Sequence, residues 1–303
     1  FQKRVNENIA EVYEENRNLG KLLYDILLLP VTPHLSKKDL LIIIPDGILH
    51  RLPFGALVTP GDQFFEQEFF WAKAPSVNIL FQNKSAPFNS KKAESLKFLM
   101  VAGNLPSTNY QKSILSRVFN HLTILENEQA TLTSLKSRLQ ELPDIVYFCI
   151  HAVADERNPM NSFIELFQKE PTNGSGSWGK IYARELLKLD FSNTWLTVLN
   201  ACESSFGKIV RGEGILNLVR LFSLSRIPVI VASLWKNDDQ KSAKIITHFF
   251  EEIGRNNQNA IKALNAAKKF NIAALQEEHG YALPYFWAPL EVYLNSLNHE
   301  TLN

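Results

Sequence analysis

Leu196-Thr197-Val198-Leu199-Asn200-Ala201-Cys202-Glu203-Ser204-Ser205-Phe206-Gly207 is an apolar run that passes straight into a cysteine and a Gly-containing turn. Aliphatic and β-branched residues giving way to small and polar ones describe a buried parallel strand that delivers its last residue to the edge of an α/β sheet. Ligands and chemistry collect at that edge. A second run, Ile145-Val146-Tyr147-Phe148-Cys149-Ile150-His151-Ala152, has the same shape and ends on a histidine 51 residues earlier (202 − 151). Strand, crossover helix and next strand with one longer loop fill such a gap. His151 and Cys202 are therefore expected side by side.

Outward from this pair the pattern alternates. Upstream, Phe98 to Gly103 reads as a strand, Gln111 to Asn120 as a helix, Leu122 to Leu125 as a strand, and Ala130 to Leu142 as an amphipathic helix capped near Thr131. Ala152 to Lys180, with Asn158-Pro159 and Asn173-Gly174-Ser175-Gly176-Ser177, reads as loop with one strand at Ser162 to Phe167. Downstream come a short helix at Ala183 to Leu187, a helix opened by Gly212-Glu213-Gly214, a strand at Val229 to Ser233, helices at Asp239 to Ile253 and Asn259 to Gln276, and a strand at Leu290 to Leu294. Strands alternating with helices predict an α/β protein with a mainly parallel central sheet and helices on both faces, in three layers.

The first third is less regular. Val5 to Leu29 has helical spacing with Gly20 as a break, Asp39 to Pro45 reads as a buried strand closed by Pro45-Asp46-Gly47, and Ile48 to Leu57 as a hairpin return or short helix. Gly61 to Ser90 is aromatic-rich and irregular, and Ser85 to Lys92 reads as a solvated linker. The expected organisation is a helical extension over 1–35, a strand and irregular segment over 36–95, and the main core over 96–303. The chain opens at Phe1 and enters a helical pattern at once, so a piece of a longer protein is expected.

Composition narrows the function classes. At 45% hydrophobic and 21% charged residues, 303 residues bury a large core. The formal charge is +1 with no basic run, which argues against direct nucleic-acid or anionic-membrane binding, and no apolar stretch approaches the roughly 20 residues that span a bilayer. Two cysteines, Cys149 and Cys202, form no disulfide framework and fit a reducing compartment, so a cytoplasmic location is expected.

A thiol with an ordinary pKa of about 8.5 needs a base or a positive neighbour to act as a nucleophile near neutral pH. An imidazole on the adjacent strand end can take the proton and return it to a leaving amine, while backbone N–H groups hold the developing oxyanion. Cys202 is thus the candidate nucleophile, His151 the candidate base and acid, and the amides of Ala152 and Cys202 the candidate oxyanion hole. Position alone favours core packing for a strand-end cysteine, and Cys149, between Phe148 and Ile150, is read as core. The pairing of two strand ends separates Cys202 from that reading.

Asn200-Ala201-Cys202-Glu203-Ser204, then Arg211-Gly212-Glu213-Gly214, Val231-Ala232-Ser233-Leu234-Trp235 and Asp238-Asp239 resemble the CHAT-domain family of caspase-like cysteine peptidases. Ile44-Pro45-Asp46-Gly47-Ile48-Leu49-His50-Arg51-Leu52-Pro53-Phe54 is similar to the motif that opens that domain, and Pro284-Tyr285-Phe286-Trp287-Ala288-Pro289 to the one that closes it. The similarity runs in order over roughly residues 20 to 296. The resemblance implies a caspase-like three-layer fold whose sheet has His after its third strand and Cys after its fourth, related to separase and the gingipains. It implies a cysteine endopeptidase acting on protein or peptide, without a cofactor, switched by a regulatory protein or by repeats upstream of Phe1, often tetratricopeptide repeats. Where the family usually has His-Gly, this chain has His151-Ala152. An oxyanion amide delivered from a left-handed backbone would strain Ala152. Two further readings follow: a hole unformed until a partner docks, or a degenerate scaffold that acts as an interaction module.

Substrate choice rests on Ser233, Leu234, Trp235, Asp238 and Asp239, the strand after the nucleophile and its loop. The two aspartates facing a pocket would favour a basic residue, Leu234 and Trp235 an apolar one. An Asp-Asp pair before a helix is also an ordinary N-terminal cap. Asp46 and His50 lack a third ligand for a metal and are expected to hydrogen-bond strand ends beneath the active site. Gly212-Glu213-Gly214 lacks the lysine and spacing of a phosphate loop.

Overall fold

Along Ile145-Val146-Tyr147-Phe148-Cys149-Ile150 successive side chains point to opposite faces of a strand, and every one is buried. Such a strand needs cover on both sides. The computed structural model, which describes residues 9–36, 38–82, 93–155, 158–169, 176–200, 219, 221–235, 238–256 and 259–296, supplies it.

The main sheet has eight strands: β1 (Leu40–Ile43), β2 (Phe70–Lys73), β3 (Lys97–Ala102), β4 (His121–Glu126), β5 (Ile145–Cys149), β9 (Leu196–Leu199), β10 (Val229–Ser233) and β11 (Leu290–Leu294). Three more, β6 (Ala152–Val153), β7 (Phe163–Lys169) and β8 (Gly176–Tyr182), form a small antiparallel sheet. The main order is β1-β2-β11-β10-β9-β5-β3-β4. Its pairings are parallel apart from β10–β11, so β11, β2 and β1 run opposite to the other five. The C-terminal ends of β3, β4, β5, β9 and β10 therefore share one edge.

Among the described residues, five longer helices cover the sheet: α1 (Ile9–Leu27), α2 (Thr108–Val118), α3 (Leu132–Leu139), α4 (Asp239–Asn256) and α5 (Ala260–His279). Leu115 of α2, Phe249 and Phe250 of α4, and Leu264 of α5 pack on the face carrying Tyr147 and Cys149. Leu135 and Leu139 of α3, with Ile164, Leu166 and Ile181 of the small sheet, pack on the face carrying Val146, Phe148 and Ile150. The three-layer α/β architecture expected from the sequence is present. Thr131 and Asn259 cap α3 and α5 through their side chains, as their residue types predict.

Three local expectations change. Gly20 does not break α1. It lies inside the helix because a Cβ there would sit 3.1 Å from Val58 and 3.2 Å from the Ala56 carbonyl, so glycine permits the close approach. The segment after His151 holds more than one strand: β7 and β8 pair over seven residues, supported by Phe163 against Tyr182 and Phe167 against Trp178. β2 lies in the stretch read as irregular. It is four residues long and ends on a lysine, so it carries no sequence periodicity, and only its partners make it a strand. The helix expected from Gly212 falls mostly outside the described residues, with Val219 and 221–224 helical.

Candidate active site

The parallel ladder between β5 and β9 aligns Ile145 with Leu196 and Phe148 with Leu199, and continues as Asn200 N–H donating to the Phe148 carbonyl at 3.0 Å. Both strands thus end together at the shared edge. His151 follows β5 there and is half-buried. Its carbonyl accepts the Glu165 N–H at 2.8 Å, which pins the backbone of His151 to β7. Cys202 and Ala201 lie outside the described residues, as do Glu203 and Arg211 to Gly214.

That same hydrogen bond fixes the geometry of Ala152. With Ala152 opposite Ile164 and the bond running from Glu165 to His151, the 152–164 pair is the non-hydrogen-bonded kind, so the Ala152 amide points away from β7. Its backbone is extended, and it is not among the residues of positive φ. The steric cost expected for alanine in a left-handed position does not arise. Ala152 is buried at 2% exposure, so its N–H faces protein or a closed site rather than open water.

The other strand-end residues fall at this edge too. Ser233 closes β10 and its hydroxyl donates to the Trp235 carbonyl at 2.7 Å. Leu234 N–H donates to the Pro289 carbonyl at 2.8 Å, and the Trp235 indole to the Tyr285 carbonyl at 3.2 Å, so the motif that closes the domain braces this loop. Both Leu234 and Trp235 are half-buried. Asp238 accepts the Lys241 N–H at 2.9 Å, the geometry of a helix cap for α4. Asp239 accepts both the amide and the hydroxyl of Ser107, at 2.7 and 2.8 Å.

Sequence reasoning missed the polar residues beneath. Tyr147 donates its hydroxyl to Gln111, Gln111 donates to Ser107 at 2.7 Å and to Cys149 Sγ at 3.5 Å, and Asn200 donates to Tyr147 at 3.4 Å. Tyr147, Gln111 and Cys149 are each 0% exposed. Burial pushes the Cys149 thiol up to about 11, which removes it as a nucleophile near neutral pH. Gln111 and Tyr147 look like ordinary helix and strand residues in sequence, and no local signal marks them.

Asp46 and His50 do not lie beneath this site. Because β1 runs against β5, the Pro45-Asp46-Gly47 turn emerges at the opposite edge, where Asp46 accepts the Gly47 N–H at 2.8 Å and the His50 carbonyl accepts from Lys73 at 3.0 Å. A cleft of about 460 Å³ lined by Lys97, His121, Arg138 and Glu141 opens at the N-terminal ends of β3 and β4, also away from His151. Among the described residues no group of three or more His, Cys, Asp or Glu converges as metal ligands, and no helix is long and apolar enough to cross a membrane.

A mainly parallel eight-stranded sheet covered by helices on both faces defines a three-layer, caspase-like α/β fold. The chain belongs to the CHAT domain family, whose model matches residues 17–294. No curated relative matches the sequence. Among solved structures the chain is similar to the Saccharomyces cerevisiae separase–securin complex, with a TM-score of 0.50 and 15% identity over 80% of this chain and 14% of the separase-complex chain. It is also similar to the complex of Porphyromonas gingivalis RgpB pro- and mature domains, with a TM-score of 0.50 and 10% identity over 92% of this chain and 68% of that one. These likenesses are of fold. The chain spans about one seventh of the separase-complex chain it matches.

Proposed function

We propose that this chain is a cysteine endopeptidase in which Cys202 attacks a peptide carbonyl, His151 serves as base and then acid, and the amides of Ala152 and Cys202 receive the oxyanion. One observation carries the reading. The β5–β9 ladder runs at an offset of 51 residues (199 − 148), and His151 and Cys202 are separated by the same 51. A histidine and a cysteine at matched positions past two adjacent parallel strand ends suit transfer of the thiol proton to the imidazole. The extended backbone of Ala152, with its amide turned from β7, suits an oxyanion donor.

For the residue before the scissile bond we infer an apolar preference. Both carboxylate oxygens of Asp239 accept from Ser107 and Asp238 caps α4, whereas Leu234 and Trp235 remain half-buried at the sheet edge. Regulation by a protein partner is part of the proposal, in keeping with separase, which was solved in complex with securin.

A peptidyl electrophile directed at thiols tests the reading in the intact chain. Labelling at Cys202 that is lost in Cys202→Ala, together with loss of peptide cleavage in His151→Ala, is the expected result. Labelling only after cell extract is added marks an enzyme that awaits its partner. Cleavage that survives either substitution ends the proposal. No labelling under any condition favours the second reading, an interaction module, for which Ala152 in place of the family's usual glycine is the motivating residue.

A further inference from the structure

Asp239, Ser107, Gln111, Tyr147 and Asn200 form a hydrogen-bonded chain whose direction is dictated from one end. An ionised carboxylate only accepts. The Ser107 hydroxyl must therefore point its proton at Asp239, which leaves its oxygen to accept from the Gln111 amide nitrogen at 2.7 Å. That places the Gln111 carbonyl toward Tyr147, whose hydroxyl donates to it and in turn accepts from the Asn200 amide at 3.4 Å. Each rotor and each amide orientation follows from the carboxylate.

The chain joins four elements at the active edge. Asp239 opens α4, downstream of Ser233, Leu234 and Trp235. Ser107 and Gln111 belong to the turn after β3 and to α2, Tyr147 lies on β5, and Asn200 directly follows β9, two residues before Cys202. Gln111 and Tyr147 are 0% exposed and Asn200 is 2% exposed, in a face otherwise packed with aliphatic and aromatic side chains. Polar groups so buried cost free energy unless every partner is in place, and once satisfied they specify one geometry where an apolar core would tolerate several.

We propose that this relay is a positioning device: it fixes the strand end that leads toward Cys202 and couples it to the start of α4 at Asp239. The proposal rests on the peptidase reading for its effect on catalysis, but not for its effect on geometry. Tyr147, Gln111 and Asp239 are positioning residues, since they act on the nucleophile through Asn200 and the backbone.

Tyr147→Phe in the full chain removes one hydroxyl and keeps the ring that packs 5.3 Å from Phe250. Hydrogen exchange by mass spectrometry should rise in the peptide spanning Leu196 to Glu203 and stay unchanged over β4 and α3. Unchanged exchange in that peptide overturns the relay whether or not the wild type is a peptidase. On a substrate that the wild type cleaves, kcat should fall about tenfold or more with KM within about twofold, the signature of misplacement rather than lost binding. Asp239→Asn should do the same, and the double variant should be no slower than either single one, because both cut one chain. Wild-type kcat in Tyr147→Phe, or multiplicative losses in the double variant, overturns the proposal. Wild type that neither cleaves nor labels removes the peptidase reading alone, and the exchange measurement still decides the relay.

Discussion

Lys73 and Glu291 meet at 2.6 Å with neither side chain exposed. The pair ties β2 to β11, and Lys73 also donates to the carbonyls of His50 and Leu52 at 3.0 and 2.9 Å, while Tyr293 donates to Glu291 at 3.2 Å. Burial pulls the Lys73 ammonium down and pushes the Glu291 carboxyl up, each opposed by the partner's charge. Two charges here cost much to bury, and losing one strands the other. Lys73→Met should destabilise the chain by about 3–5 kcal/mol, and Lys73→Met with Glu291→Leu should recover most of that. Denaturant unfolding of the single and double variants checks it.

Phe250 joins α4 to the sheet through Phe98 at 4.8 Å and Tyr147 at 5.3 Å, and to the end of α2 through Phe119 at 6.2 Å between ring centroids. It is 0% exposed. Phe250→Ala should cost about 3–5 kcal/mol through the lost area and the cavity it leaves, and Phe250→Leu markedly less. Thermal unfolding of both variants measures the difference.

The thiol of Cys149 makes stability depend on alkaline pH. Burial raises its pKa from 9.0 to about 11, so between those values the folded chain holds a proton that the unfolded chain releases. The stabilisation is full below pH 9 and is lost as pH rises through about 11, by up to roughly 3 kcal/mol. Tyr147, also raised by burial, acts in the same direction at higher pH. Denaturant midpoints between pH 8 and 11 should fall more steeply in wild type than in Cys149→Ala.

Apolar and basic side chains before the scissile bond are separable by peptide competition. Peptides with Leu or Phe there should be cleaved at least about tenfold faster than those with Arg, and Trp235→Ala should lower kcat/KM for the apolar series by roughly 10- to 100-fold. Faster cleavage after Arg would assign the pocket to Asp238 or Asp239 instead.

Much of this protein was legible one segment at a time. Runs such as Ile145 to Ile150 and Leu196 to Leu199 announce buried strands because parallel strands in a covered sheet must be apolar on both faces. Thr131 and Asn259 announce helix starts because a side-chain oxygen there satisfies an orphan amide. The order of motifs around Cys202 carried the family, which the match over residues 17–294 bears out.

What escaped the sequence depends on partners far away in the chain. β2 is a strand because β1 and β11 pair with it, with Glu291 beside the lysine at its end, and the Asp46–His50 turn leaves the site because β11, β2 and β1 run backwards past β10. Asp239 meets Ser107 across 132 positions, so the same carboxylate that reads locally as a pocket charge or a helix cap becomes the head of a buried relay.

The sequence by itself determined the layers, the strand ends and the identity of the two residues expected to react, since periodicity and turn chemistry are local properties of the chain. Only the tertiary structure decided that Ala152 lies in extended backbone beside His151, and that Asn200 answers to Tyr147, Gln111 and Asp239. The physical reason is that a buried polar group is satisfied by whatever donor or acceptor the sheet order brings within about 3 Å, and sheet order is a property of the whole fold.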